Sequence, residues 1–262
     1  MIQYLFEFDD WIVGSTIVCL YLVSALLMSA IVLWRPLRSR MKIVCCATPD
    51  LLFFMGVLFS LNIGFLAVEI EDRIQKAANA LSVEGNSLRG IASILKAVGP
   101  EGASVRAAAR AYLESTIKQE LSGSRAAVEF TTASQKMEEL STAAAALTEV
   151  NMVSGTIRNA ILELALSASD ARARRIALMS AEPNELKWAL IFYLLFSIQI
   201  ALVLIHGEDT RRMIVHLLLI SLAGSLSIAV AALSEDPFSH PRMVSIAPME
   251  AAFDALPKIP RR

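Results

Sequence analysis

The sequence contains four long apolar runs without a formally charged side chain. They cover Trp11–Trp34, Leu51–Val68, Trp188–Ile205 and Met213–Leu233, here called spans one to four. Each run is about the length that a helix needs to cross roughly 30 Å of hydrocarbon, and an uncharged window of this length is typical of a spanning helix. The sequence therefore predicts an all-α membrane protein with four transmembrane helices.

The spans form two pairs, and a long polar segment separates them. We expect an N-terminal membrane hairpin at 1–68, a helical insert at 69–186, a C-terminal membrane hairpin at 187–236 and a tail at 237–262. The insert is long enough to pack a core of its own. In the tail, Pro248 fits the first turn of a short amphipathic helix, which could lie on the membrane or against the insert.

Apolar residues in the insert recur with alternating four- and three-residue spacing. The pattern holds from Ile74 to Val98, from Ala126 to Leu147 and from Ile157 to Leu178, with a less regular segment from Val105 to Leu121. Such spacing produces an apolar seam along a helix, which packs against other seams at a shallow angle. It predicts an up-down four-helix bundle or antiparallel coiled coil.

Two features predict how the insert joins the membrane segments. The chain has no Gly or Pro from Phe65 to Glu84, so span two is expected to continue unbroken into the first insert helix. Pro183 precedes span three and should break the helix there, because proline removes a backbone donor and clashes with the preceding turn.

The loop between spans one and two indicates an orientation. From Arg35 to Lys42 it carries four positive charges and no negative one. Short loops rich in Lys and Arg remain in the cytoplasm. We therefore expect a multi-pass protein of a bacterial inner membrane, with both termini and the insert on the extracytoplasmic side.

Two charged residues interrupt the apolar seams of the insert. The count in the fourth segment lands on Arg175, and the count in the first lands on Glu84. An arginine in a core register is costly unless it is paired, so we predict a Glu84–Arg175 ion pair that fixes the helix register. The alternative is that Arg175 extends outward from the edge of the seam.

Polar residues inside the spans are the other candidate functional positions. They are Asn62 in span two, Gln199 in span three and His216 in span four. Such residues usually face the interior of a helix bundle or a water-filled path. They could therefore make hydrogen bonds between helices or line a route for ions.

The sequence contains no pattern that indicates an enzyme, a cofactor or a metal site. Its three histidines are scattered, and no catalytic constellation or phosphate-binding glycine loop is present. A formal net charge of −1 gives no basic face for nucleic acid. The adjacent Cys45 and Cys46 are expected to be reduced thiols or, alternatively, acylated at the membrane surface.

Several short motifs occur in an order that resembles a known family. They are Phe65–Arg73, the Glu84–Arg89 stretch ending in Leu88-Arg89, the arginine-bearing Asp170–Arg175, Gln199–His206, and Asp236-Pro237-Phe238 followed by Val244-Ser245. Together they are similar to the bacterial membrane proteins of unknown function called DUF4239, often labelled bestrophin-like. One departure is Ser239-His240-Pro241, where that family usually has a glycine.

The resemblance implies four spans with a helical insert between spans two and three. The bestrophin label further implies an oligomeric anion channel whose pore is lined by helices around a symmetry axis. It also implies a cytoplasmic insert, which is opposite to the side that the loop charges predict. The two cannot both hold without a real difference in architecture, and the loop charges favour the extracytoplasmic side.

Two hypotheses about function follow. The first is a homo-oligomeric ion channel, by resemblance an anion channel, in which spans two and four line a central path. The second is a non-conducting scaffold or sensor, anchored in the bilayer, that acts through its helical insert on a protein partner the sequence does not identify.

Overall fold

The computed structural model describes residues 10–33, 49–121, 130–147, 154–180, 183–206, 209–235, 237–238 and 244–256. Within these ranges the secondary structure is helical and no strand is present. Three features of the sequence analysis lie outside the described ranges: Cys45 and Cys46, for which reduced or acylated thiols are expected, most of the basic loop, and the motif residue Asp236.

The α-helices run in the order α1 (Asp10–Leu33), α2 (Pro49–Val98), α3 (Ala103–Ser115), α4 (Phe130–Ala146), α5 (Gly155–Met179), α6 (Glu185–His206), α7 (Thr210–Leu233) and α8 (Ala247–Ala255). A 3-10 turn at Gly99–Gly102 precedes α3, and a π turn at Thr116–Glu120 continues it. Four helices are long and apolar enough to cross a membrane: α1, α2, α6 and α7. The prediction of an all-helical chain with four candidate spans is thus confirmed.

The ends of the helices follow from local chemistry. Gly99 ends α2 with φ +75°, in the left-handed region that glycine adopts without strain. Arg106 donates to the carbonyl oxygens of Leu95 and Gly99, at 2.9 and 3.1 Å, and so satisfies acceptors that have no partner within the helix. At the start of α7, the Asp209 carboxylate accepts from the backbone N–H of Arg212.

The chain divides into two compact units. The first, here called the membrane unit, comprises residues 1–72 and 182–235; the second, here called the insert unit, comprises residues 73–181 and 236–262. Helix α2 contributes to both.

In the membrane unit, α1, α6 and α7 share buried apolar side chains. One cluster joins Ala25 and Val32 of α1 to Leu202 of α6 and to Met213 and Leu217 of α7. Span two differs from the other three, because every side chain from Leu51 to Phe65 is exposed or only half-buried.

In the insert unit, α2, α3, α4, α5 and α8 contribute to one core. Its fully buried members include Leu88, Leu113, Leu140, Ile161 and Met249, one from each helix. The tail helix α8 therefore packs against the insert helices, which is one of the two positions that the sequence allowed. Gly85 permits this contact, since a Cβ there would lie 2.7 Å from the backbone C and O of Pro248.

Candidate functional sites: a buried ionic network and polar membrane contacts

The insert unit buries a network of ionised side chains. Glu84 and Arg175 are each 0% exposed, and Arg175 Nε lies 2.8 Å from Glu84 Oε2. A second contact joins Arg175 Nη2 to Glu84 Oε1 at 3.2 Å. The structure thus places the two residues that interrupt the apolar seams in direct ion-pair contact.

The network extends to a second acid and a second arginine. Arg175 Nη2 lies 2.7 Å from Glu120 Oε2, and Arg172 Nη2 donates to the other oxygen of Glu120. Glu120 is the last residue of the π turn that follows α3 and is 2% exposed. Two arginines and two glutamates therefore balance their charges inside the core, which a buried charge requires.

Tyr112 completes the network. Its hydroxyl donates to Glu84 Oε1. Burial raises the pKa of Tyr112 well above its usual value, and the negative charge of Glu84 raises it further. Burial alone would lower the pKa of Arg175, but the combined interactions with Glu84, Tyr112 and Glu120 outweigh burial, and the pKa is raised. Tyr112 stays a neutral donor and Arg175 stays charged at neutral pH.

The sequence did not indicate Glu120, Arg172 or Tyr112 as partners. Glu120 lies in a π turn, where one extra residue per turn shifts the side-chain count that predicts which face is buried. Tyr112 lies in the segment whose apolar spacing is irregular. Arg172 could have been predicted as a member of the network, because it lies three residues before Arg175 and so on the same helix face.

In the membrane unit, Gln199 joins three helices. It is 0% exposed; its Nε2 donates to the Tyr21 carbonyl oxygen at 3.1 Å and to Ser221 Oγ at 2.7 Å. Ser24 Oγ in turn donates to Gln199 Oε1 at 2.8 Å. This side chain thus makes hydrogen bonds between helices of one chain.

Asn62 and His216 have different environments. Asn62 is half-buried, and its Nδ2 donates within its own helix, to the Leu58 carbonyl oxygen at 2.8 Å. His216 is exposed, and its ring stands edge-on to that of His206, with centroids 4.8 Å apart and planes at 81°. The sequence did not indicate this histidine pair.

The family-motif residues are distributed as follows. Arg89 is exposed on α2, whereas Pro237 is buried and Phe238 belongs to the core of the insert unit. Among the described residues, no three His, Cys, Asp or Glu side chains are grouped to hold a metal ion.

A family model described as Bestrophin-like domain matches residues 18–249. The chain belongs to the bestrophin-like family. The resemblance seen in the sequence is thereby confirmed at the level of the bestrophin-like family. The chain is a helical, multi-pass membrane protein.

Solved structures show the same fold. The bestrophin-like chain is similar to a bacterial Bestrophin homolog from Klebsiella pneumoniae, solved as several variants. One aligns with TM-score 0.70 and 12% identity, covering 93% of this chain and 98% of the other. A second gives 0.72, 12%, 91% and 95%, and a third 0.71, 13%, 91% and 97%. None of the curated proteins matches the chain.

Proposed function

We propose that this bestrophin-like protein is a homo-oligomeric ion channel, with anions as the permeant class. Membership of the family supports the proposal, because the bestrophin label implies an oligomeric anion channel. The main structural support is the exposure of span two, because from Leu51 to Phe65 no side chain is buried within the chain.

Polar side chains in span two indicate that its exposed surface contacts more than lipid. A lipid-facing apolar helix needs no protein partner, but polar side chains in spans usually face other helices or water. Ser60 and Asn62 both lie here, and each hydrogen-bonds a carbonyl oxygen of its own helix. We assign Asn62 to the wall of a path between subunits. Gln199 is not assigned there, since its hydrogen bonds join helices of a single chain.

The oligomeric mass and ion flux of one sample test the proposal. Purified full-length chain in detergent is expected to form a symmetric oligomer, and liposomes made from it should pass chloride. Asn62→Asp should reduce that flux, because a negative charge on the wall repels anions.

Thr16→Asp is the matched control. Thr16 is exposed on span one and hydrogen-bonds within its own helix, as Asn62 does. Flux should survive this substitution. A monomer or dimer without chloride flux would overturn the channel proposal.

The second candidate is a non-conducting scaffold or sensor. The feature that favours it is the insert unit, whose core includes a fully buried Leu140. Leu140→Asp should then abolish oligomer formation or partner binding. Liposomes should show no conductance with the wild-type chain or with the variant. Conductance of the wild-type chain would exclude this candidate.

We place the chain in the DUF4239 group on its motifs, with the insert arranged as a helical bundle between spans two and three. We place it in a bacterial inner membrane with the insert extracytoplasmic, on the loop charges. A membrane-impermeant thiol reagent tests the side: a cysteine at exposed Gln135 should react in intact cells.

A further inference from the structure

The ends of α6 and α7 bring two histidines together, and the proposed channel function does not use them. His206 is the last residue of α6, and His216 lies in the second turn of α7. Their ring centroids are 4.8 Å apart and their planes meet at 81°. No other pair of aromatic rings in the described residues combines two imidazoles.

This separation matches two imidazoles bound to one metal ion. With a metal–nitrogen bond of about 2.1 Å and the ring centre about 1.1 Å beyond the nitrogen, two ligands at a tetrahedral angle place their centres about 5 Å apart. The observed centroid distance of 4.8 Å is close to this value. Imidazole nitrogen is a ligand that suits Zn²⁺, Cu²⁺ and Ni²⁺.

A second observation points to a ligand at the same place. Nδ1 of His206 is shielded from solvent and has no hydrogen-bond partner within the part of the chain that the structure describes. A shielded nitrogen without a partner is costly, and a bound ion or water removes that cost. The carbonyl groups at the C-terminus of α6 also favour a cation near His206.

The charges around the pair do not exclude a cation. Asp209 is the N-cap residue of α7, and its Oδ2 lies 3.0 Å from Arg212 Nε, so its carboxylate balances the charge of Arg212. Arg211 is exposed, so water screens its charge from the histidines.

We propose that His206 and His216 bind one divalent transition-metal ion, with water completing its coordination shell. The ion would join the ends of spans three and four. The inference stands independently of the proposed channel function, since it concerns binding at the end of one helical hairpin.

Nickel binding to the full-length chain tests the site. The protein should carry a purification tag without histidine, and its three cysteines should be replaced by serine, because thiolates also bind these metals. Titration of NiCl₂ followed by calorimetry should show one saturable site per chain. His206→Ala and His216→Ala should each weaken binding at least tenfold.

His240→Ala is the matched control, since it removes the remaining histidine outside the pair, and it should leave nickel binding unchanged. Electron paramagnetic resonance with Cu²⁺ gives an independent readout. The spectrum should show coupling to two nitrogen nuclei in the wild-type chain and to one in His216→Gln. Absence of a saturable site, or equal binding by all three histidine variants, would overturn the proposal.

Discussion

The two units of the molecule each bury a long polar side chain completely, but the partners of that side chain differ. In the membrane unit this residue is the uncharged Gln199, which hydrogen-bonds to backbone and hydroxyl groups of two other helices. In the insert unit it is the charged Arg175, which contacts two carboxylates. A charge inside a span is expensive, so polar contacts there use neutral groups, whereas the insert can bury charges that cancel.

The two units should therefore differ in how much stability they lose when a buried polar side chain is replaced. Removing one member of a balanced ionic network leaves an uncompensated buried charge, which costs several kcal/mol. Removing an amide hydrogen bond between spans costs on the order of 1 kcal/mol. Arg175→Met and Gln199→Leu compare the two units, and Gly85→Ala and Tyr112→Phe test two further contacts within the insert unit.

Arg175→Met should produce the largest loss, because it leaves the carboxylate of Glu84 buried without its ion-pair partner. We expect the free energy of unfolding to fall by about 3–5 kcal/mol in a urea titration of the full chain in detergent. Lys136→Ala is the control, since Lys136 pairs with Glu139 on the surface and the loss should be small. Equal effects of the two substitutions would show that the buried network does not stabilise the insert unit.

Gly85→Ala should displace the tail helix from the insert. The added Cβ would lie 2.7 Å from the backbone of Pro248, and this overpacking should cost about 1–3 kcal/mol. Limited proteolysis should then cleave the tail faster.

Gly90→Ala is the control in the same helix. Its Cβ would meet only the movable end of Leu164, at 3.0 Å, and alanine is the better helix former. If both alanine variants resist proteolysis equally, the tight contact with Pro248 is not what holds α8.

Tyr112 should make stability fall at high pH. Its folded pKa is raised by burial and by Glu84, so above about pH 10 the unfolded chain releases this proton first. The contribution of Tyr112 to the free energy of unfolding is fully present below pH 10 and is lost above it. One pH unit higher, the loss amounts to about 1.4 kcal/mol.

The comparison with Tyr112→Phe isolates this proton. From pH 10 to 11 the wild-type chain should lose more stability than the variant does, as measured by urea titration at each pH. Parallel pH profiles would contradict the assignment of Tyr112 as a buried, neutral donor to Glu84.

Gln199→Leu should have the smallest effect of the four. It removes the bonds to Ser221 and to the Tyr21 carbonyl, and it should cost about 0.6–1 kcal/mol. Thermal unfolding in detergent measures it. A loss as large as that of Arg175→Met would remove the contrast between the units.

The spans and the first ionic contact could be predicted from the sequence because each depends on one-dimensional patterns. Hydropathy locates the spans within a few residues, as in Trp188–Ile205 against the observed Glu185–His206. A charge in an apolar register signals a buried pair, and the structure shows Glu84 against Arg175.

The other contacts depend on geometry that spacing does not encode. Glu120 reaches Arg175 from a π turn, which changes the register after α3. His206 and His216 belong to different helices, and only the closure of the hairpin brings their rings together. The exposure of span two likewise emerges only when the packing of the other three spans is known.

Span two is proposed to face water between subunits, and modification of a single cysteine by a thiol reagent tests this position. Asn62→Cys in a chain whose three native cysteines are replaced by serine should be modified by a negatively charged, water-soluble methanethiosulfonate. Chloride flux in liposomes should then fall, while Thr16→Cys treated in the same way keeps its flux. Unchanged flux through a fully modified Asn62→Cys protein would contradict the claim.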